Sequence, residues 1–455
     1  MSTFFSATRP VDVYRAVWRW HFYAGLLVLP FMLILAVTGA IYLFHTEIDD
    51  YIYRDIKTVT VTTGSPYSHE SIVQTALAAY PGQALRYVPP ASKSGSAEVD
   101  IKGDGGDVMA IFVDPYRGTV LGRMPNRSTV SWTIRRLHSL AYFGPIANGM
   151  IEVAAGWCIL LVITGTYLWW PRQNTSSLDG VLKVRGVSSQ RVFWRDVHAV
   201  TGIIAGVFIL FLAVTGMPWS IVWGDKVNQW ANGSNFGYPA GVRVSVPMSD
   251  EHINHVAPVA WSLEQAKAPT SVTHVHPASD AAMHTQISLD KAVSIFDQLG
   301  LAKTYAINLP VTTTGVFTGS VYPNDLAKQR VVHLDQFSGQ VLLDMSFADY
   351  GPVGKGLEWG INVHLGQEFG LANQLLMLAV CCAIVLICIS SAVMWWKRRP
   401  AGTIGIPPLP AYRRALKLVF ILLMVGGIIF PLVGISMLLM LVLDYVFVIR
   451  RNTVD

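Results

Sequence analysis

Apolar residues along this chain fall in long unbroken runs separated by polar gaps. Four runs, at 22–44, 150–170, 200–222 and 371–396, contain no Lys, Arg or Asp, and Glu152 stands near the start of the second. Each reaches the roughly 20 residues that a helix needs to cross a hydrocarbon core of about 30 Å. A fifth stretch, 418–449, contains Gly426, Gly427 and Pro431, so it reads either as one long kinked helix or as two short helices in a hairpin. The polar gaps have shorter periods. Residues 111–121 and 331–342 each read as strand, turn and strand, with Asp114 and Gly118, then Asp335 and Gly339, at the turns. Amphipathic helices are expected from Ser68, from Ser262 (with Gln265 completing a capping box) and from Ser288.

Composition sharpens this into a membrane pattern. Hydrophobic residues make up 52% of the 455 and charged residues 14%, against roughly 25% charged in an ordinary soluble domain. The net charge of +5 therefore bears on topology and gives no sign of a nucleic-acid partner. Arg9, Arg15 and Arg19 precede the first run; Arg172, Lys183, Arg185, Arg191 and Arg195 fill the gap between the second and third; Lys397, Arg398, Arg399, Arg413, Arg414 and Lys417 follow the fourth. The bias of Lys and Arg toward the cytoplasmic side puts these segments and the N-terminus inside and the long polar segments outside. Arg450 and Arg451 fit the same side, which favours the hairpin for 418–449. The four cysteines, Cys158, Cys381, Cys382 and Cys388, all lie in apolar runs, so no disulfide framework is expected outside and their expected role is small apolar packing. The first run is too long for the h-region of a cleaved signal.

The chain also repeats itself. His21 stands 17 residues before Thr38-Gly39, and His198 stands 17 before Thr215-Gly216. His138 stands 26 residues before Thr164-Gly165, and His364 stands 26 before Ser390-Ser391. Trp169-Trp170-Pro171-Arg172 and Trp395-Trp396-Lys397-Arg398 close the second and fourth runs. Taken singly, Thr-Gly reads as close helix packing, and the tryptophans as an interfacial belt beside positive anchors.

Together these residues resemble the PepSY-associated transmembrane family, which includes iron-regulated membrane proteins and ferric-siderophore reductases. The resemblance rests on His21…Thr38-Gly39, His198…Thr215-Gly216, Leu137-His138…Thr164-Gly165…Trp169-Trp170-Pro171-Arg172 and the two Asp-x-x-x-Gly hairpins, and covers nearly the whole chain. Ser390-Ser391 departs from the pattern, as a packing change not expected to touch a histidine. The fold expected is a polytopic α-helical membrane protein. Four core transmembrane helices form a tandem repeat, followed by a C-terminal helical hairpin, with two small α+β PepSY-like extracytoplasmic modules. The expected division is a tail and first helix (1–45), a first module (46–135), an interfacial segment and second helix (136–172), a cytoplasmic loop (173–197), a third helix (198–223), a second module (224–358), an interfacial segment and fourth helix (359–398), a loop (399–417) and the hairpin (418–449). The expected location is a bacterial inner membrane, with the large loops periplasmic.

The repeat gives the histidines a chemical reading. A single interfacial histidine is usually only an amphipathic tip. Here His21 and His198 pair at one face of the membrane and His138 and His364 at the other, the pattern of two bis-histidine haems. Without a Cys-x-x-Cys-His the haem is non-covalent, b-type. His45 lies 24 residues after His21, about 36 Å along a helix. It has no counterpart in the repeat and is an alternative ligand or supporting group for the outer haem. His252, His255, His274, His276 and His284, with Met283, have metal-binding spacings, but lie in a Pro/Ser/Ala-rich segment where a solvated loop is the favoured reading. Glu47, Asp49, Asp50 and Tyr51 read as a solvated helix end.

The resemblance implies haem-dependent electron transfer to an outer acceptor, Fe(III)-siderophore first, with release of Fe(II). No G-x-G-x-x-G follows a strand, so the donor expected is a quinol or a separate reductase. The competing readings are a non-enzymatic binding or regulatory membrane protein, and a component of metal or siderophore uptake. The latter is weakened by the lack of charge in mid-membrane.

Overall fold

The computed structural model of the chain describes residues 10–171, 179–233, 248–252, 267–271, 285–402, 404–409 and 413–446. Along the chain run α1 (Pro10–Tyr42), α2 (His45–Ile52), α3 (Arg54–Lys57) and α4 (His69–Ala79), then β1 (Gln83–Val88), β2 (Ala97–Lys102), β3 (Val108–Asp114) and β4 (Thr119–Pro125). Next come α5 (Val130–His138), α6 (Pro145–Trp169), α7 (Arg191–Gly216), α8 (Trp223–Gly233), β5 (Met248–His252), β6 (Lys267–Pro269) and α9 (Leu289–Gln298). The order ends with β7 (Ala306–Asn308), β8 (Val316–Val321), β9 (Arg330–Asp335), β10 (Val341–Ser346), α10 (Pro352–His364), α11 (Leu371–Arg398), α12 (Arg413–Ile429) and α13 (Pro431–Asp444). The helix expected from Ser262, and His255, His274, His276 and His284, lie outside the described residues. Two units divide the chain: Met1–Leu43, Ile134–Lys226 and Gln374–Asp455 make one, Phe44–Thr133 and Val227–Asn373 the other.

The first unit is helical. Spans at Val13–Tyr42, Pro145–Trp169, Arg191–Trp219 and Leu371–Arg398 are long and apolar enough to cross a membrane. α1 starts 12 residues ahead of the apolar run that marks it, because hydropathy registers the hydrocarbon crossing while backbone hydrogen bonding continues through the polar turns before it. Arg19 is tolerated there, though only 2% exposed, because it bonds Asp444 and the Pro407 carbonyl. Glu152 is fully buried in α6 and accepts hydrogen bonds from the backbone N–H groups of Val222 (2.9 Å) and Trp223 (3.3 Å) at the start of α8. A carboxylate at that end satisfies donors the helix cannot pair internally.

The last apolar stretch is two helices that break at Phe430. A Cβ placed on Gly427 would meet Gly434 Cα at 2.8 Å, whereas seven residues along one continuous helix span about 10.5 Å. The chain therefore doubles back, and glycine on both sides of the reversal lets the backbones touch. α12 packs on α1 and α13 on α6, with Trp157 Nε1–H donating to Ser436 Oγ at 2.8 Å.

In the second unit both polar segments build one antiparallel sheet of eight strands, ordered β10-β9-β8-β7-β1-β2-β3-β4. The two segments expected as separate small modules contribute four strands each and join where Arg86 pairs Asn308 and Tyr87 pairs Ile307. α4 and α9 begin at Ser68 and Ser288, as the sequence predicts; each serine accepts the N–H three residues on, from Ser71 and Lys291. The helices cover one face of the sheet through Ile72, Val73, Ala76, Ala292, Val293 and Phe296, and Asp290 accepts the His69 N–H at 2.7 Å. Asp114 and Asp335 fold both Asp-x-x-x-Gly turns by accepting backbone N–H groups two and three residues on, while Gly118 and Gly339 take positive φ values of 61° and 73°.

His333 stands on β9 with no exposed surface. Its Nδ1 lies 2.9 Å from Thr318 Oγ1, and Nε2 is buried with no hydrogen-bond partner among the described residues. Burial pushes its pKa from the ordinary 6.5 to about 3, so the folded state holds it neutral. A folded pKa below the unfolded one contributes stability above pH 6.5 that is lost as pH falls toward about 3, at up to about 1.4 kcal/mol per pH unit. Melting of the full chain across this window should show an acid limb that flattens in His333→Gln, read against the same melts of the wild type.

Candidate functional site

Four hydroxyl-bearing positions and four histidines were singled out by their spacing, and within the first unit the structure brings three of these histidines to three of the hydroxyl-bearing helices. His21 on α1 has its Nδ1 2.9 Å from Thr164 Oγ1 on α6. His138, the last residue of α5, has its Nδ1 2.9 Å from Thr38 Oγ1 on α1. His198 on α7 has its Nδ1 3.0 Å from Ser391 Oγ on α11.

The other contacts of these hydroxyls favour one direction for these bonds. Thr164 donates to the Leu160 carbonyl (2.7 Å), Thr38 to Ile34 (2.6 Å) and Ser391 to Ile387 (2.8 Å). A hydroxyl has one proton. With that proton committed to the preceding helical turn, each oxygen can only accept, and each imidazole donates through Nδ1–H. The lone pair is left on Nε2. A neutral imidazole with Nδ1–H anchored and Nε2 open is the form that binds a metal. Burial keeps His138, outside the spanning helices, neutral by lowering its pKa to about 4.

The glycines of the motif act on the same rings. A Cβ on Gly165 would lie 3.2 Å from His21 Cε1, and one on Gly39 would lie 3.3 Å from His138 Cε1. Thr-Gly is thus an imidazole seat, with a hydroxyl to hold Nδ1 and a missing side chain to admit the ring. This corrects the reading of the pair as helix packing alone. It also corrects the reading of Ser390-Ser391 as remote from a histidine: Ser390 is buried and donates to Ile387 at 3.0 Å, and Ser391, in the glycine's place, holds His198.

His21 and His198 lie next to one another. Their ring centres are 6.4 Å apart and their planes cross at 84°. Two imidazoles bound on opposite sides of one metal ion would have ring centres about 6 Å apart, from a bond of about 2 Å and about 1.1 Å more to each ring centre. Both rings line a cavity of about 770 Å³, within the roughly 300–1,000 Å³ typical of cofactor pockets. Leu26, Leu29, Val162, Ile203 and Ile387 make its walls apolar; Trp18, Trp169, Trp395, Arg191, Arg195 and Arg398 give it an aromatic and cationic side. The donor set, separation and lining fit a planar, largely apolar metal macrocycle with acidic side arms, which is haem.

The remaining candidates stand elsewhere. The seat of His138 lies 17 residues beyond His21 on α1, about 26 Å along the axis. His364, the last residue of α10, belongs to the second unit. There α10 is held by Tyr322 Oη–H donating to the buried Glu358 (2.5 Å) and by Asn362 donating to the Asn324 carbonyl (2.8 Å). His45 does not extend α1 as expected. A turn at Leu43 and Phe44 ends that helix, and His45 opens α2, where its carbonyl accepts from Ser131 Oγ at 3.0 Å. Asp49 is more than a solvated residue: it accepts the Ser131 N–H at 3.3 Å. Cys158 and Cys388 are buried thiols that line the cavity. Among the described residues no three His, Cys, Asp or Glu side chains cluster as a metal site.

Four helices able to cross a membrane, linked through a sheet-bearing second unit, define a multi-pass membrane protein. The chain belongs to the family described as the PepSY-associated TM region, which matches it over residues 18–398. Among curated proteins, none matches the chain.

Proposed function

We propose that this protein carries electrons across the membrane through haem b and reduces an acceptor on the outer side, with Fe(III) bound to a siderophore as the first acceptor class. The observation that supports this most is the His21–His198 pair, 6.4 Å apart in an apolar cavity, with Nδ1 of each ring tied to a hydroxyl whose proton is already used. His21 and His198 would hold the iron through Nε2, and Thr164 and Ser391 would keep each ring in its metal-binding tautomer. Bound haem supplies reversible one-electron transfer. Leu26, Leu29 and Ile203 exclude water from the site and keep its dielectric low.

The second haem of the proposal rests on the sequence repeat, which pairs His138 with His364; His138 is also held in the Nδ1–H form. His45 remains the alternative outer ligand. The Arg- and Lys-rich segments beside the His21–His198 end support a cytoplasmic position for that end, and the membrane of the proposal is a bacterial inner membrane. A quinol or a separate reductase would deliver the electron there. One electron leaving the protein converts Fe(III) to Fe(II), which siderophore oxygen ligands hold more weakly.

The haem-loaded full chain, reduced by dithionite and freed of excess reductant, tests this. Mixing with a ferric trihydroxamate and a colourless Fe(II) chelator should reoxidise the haem and develop the chelate colour in proportion. Haem that stays reduced in the presence of the ferric complex would refute the assignment of acceptor.

A further inference from the structure

The cavity around His21 and His198 has three arginines in its lining, and they are not equivalent. Arg195 is committed to the fully buried Asp196, through Nε at 2.9 Å and Nη2 at 2.5 Å. Arg398 bonds the Gly405 carbonyl and stacks 4.9 Å from the Trp18 ring centre and 5.0 Å from that of Phe22. Arg191 stands one helical turn before Arg195 and two before His198, so all three share one face of α7. Arg191 is exposed and lines the cavity, without a hydrogen-bond or ion-pair partner among the described residues. Arg398 lines the same cavity, so two positive charges border one apolar space. An anion seated beside two cations that line one apolar cavity would relieve their mutual repulsion while pairing Arg191.

We propose that Arg191 is the anion seat of this cavity and pairs with a carboxylate side arm of the macrocycle that His21 and His198 hold, with Arg398 supplying the second positive charge. This rests on the haem reading above and adds to it an orientation: the acidic edge of the ligand points to the α7 start and the apolar edge to Leu26 and Leu29. A planar guanidinium matches a carboxylate with two parallel N–H donors. A carboxylate of the ligand and an anionic lipid headgroup offer the same chemistry, and only the former ties Arg191 to the ligand's identity.

The test uses the full chain in a neutral detergent, produced under haem limitation. Haem and haem dimethyl ester, whose two carboxylates are blocked, are titrated separately, and the relevant binding phase is the one that His198→Ala removes. The wild type should prefer haem over its ester by on the order of tenfold. Arg191→Gln should lose that preference while still binding the ester as the wild type does, and Arg191→Lys should regain part of it. The midpoint potential of the bound haem should fall in Arg191→Gln, because a nearby cation favours the reduced state. An undiminished preference in Arg191→Gln would overturn the assignment. So would a preference that persists while bound phosphatidylglycerol is lost, which would make the anion a lipid headgroup. If the wild type shows no phase that His198→Ala removes, the haem reading itself fails, and this inference with it.

Discussion

Asp444→Ala should destabilise the helical unit by about 3–5 kcal/mol, the penalty expected when one partner of a buried ion pair is removed. Arg19 and Asp444 bond directly with side chains only 3% and 10% exposed, so solvent screening gives little relief. Tyr23 Oη–H also donates to Asp444 at 2.5 Å, and the Arg19 guanidinium lies 5.2 Å from the Tyr23 ring centre. Among the described residues, removing the carboxylate leaves a buried cation with the Pro407 carbonyl and a ring face, and its Nε already lacks a partner. The contact ties the end of α13 to α1, so the loss should be global. Thermal melts in one detergent, compared among Asp444→Ala, Arg19→Met and the double variant, read the coupling. The double variant should recover much of the single-variant loss, since apolar replacement of a buried pair is close to neutral. Simple additivity of the two losses would show that the pair is not coupled.

This ion pair also marks where sequence reading stops. In the apolar stretch 418–449 the glycines and Pro431 left a kinked helix or a hairpin open and Arg450 and Arg451 favoured the hairpin; the break falls among those glycines and Pro431. Nothing in the linear pattern joined Asp444 to Arg19, 425 positions away, because such a contact depends on how α12 and α13 pack on α1 and α6. The four long helices were legible from hydropathy, yet the start of α1 was not, because its polar first turns carry no apolar signal. The Asp-x-x-x-Gly turns and the caps at Ser68 and Ser288 were legible because each is a local device. The joining of the two outer segments into one sheet was not, since the β1–β7 pairing links residues more than 200 apart in sequence.

For the site, spacing found the histidines, and it also held the information about their partners. The 17- and 26-residue intervals single out Thr38, Thr164 and the Ser390-Ser391 pair in the same motif as the histidines. The bland reading of Thr-Gly as packing hid that the hydroxyl and the missing side chain serve an imidazole from another helix. His45 shows the opposite error. Counting 1.5 Å per residue assumes an unbroken helix, and the turn at Leu43 and Phe44 breaks it.

The central claim is that His21 and His198 hold one haem between them, and removing either imidazole should remove that haem. Ligation is a joint property of the pair, so His21→Ala, His198→Ala and the double variant should lose the same single equivalent, each falling from about two haems per chain to about one. Haem content and the reduced-minus-oxidised absorption spectrum of the purified full chain, produced with ample haem, measure this directly. The account predicts a reducible low-spin b-type spectrum in the wild type and an identical loss in all three variants. A wild-type chain without a reducible haem band, or single variants that keep the full haem content and low-spin spectrum, would contradict it.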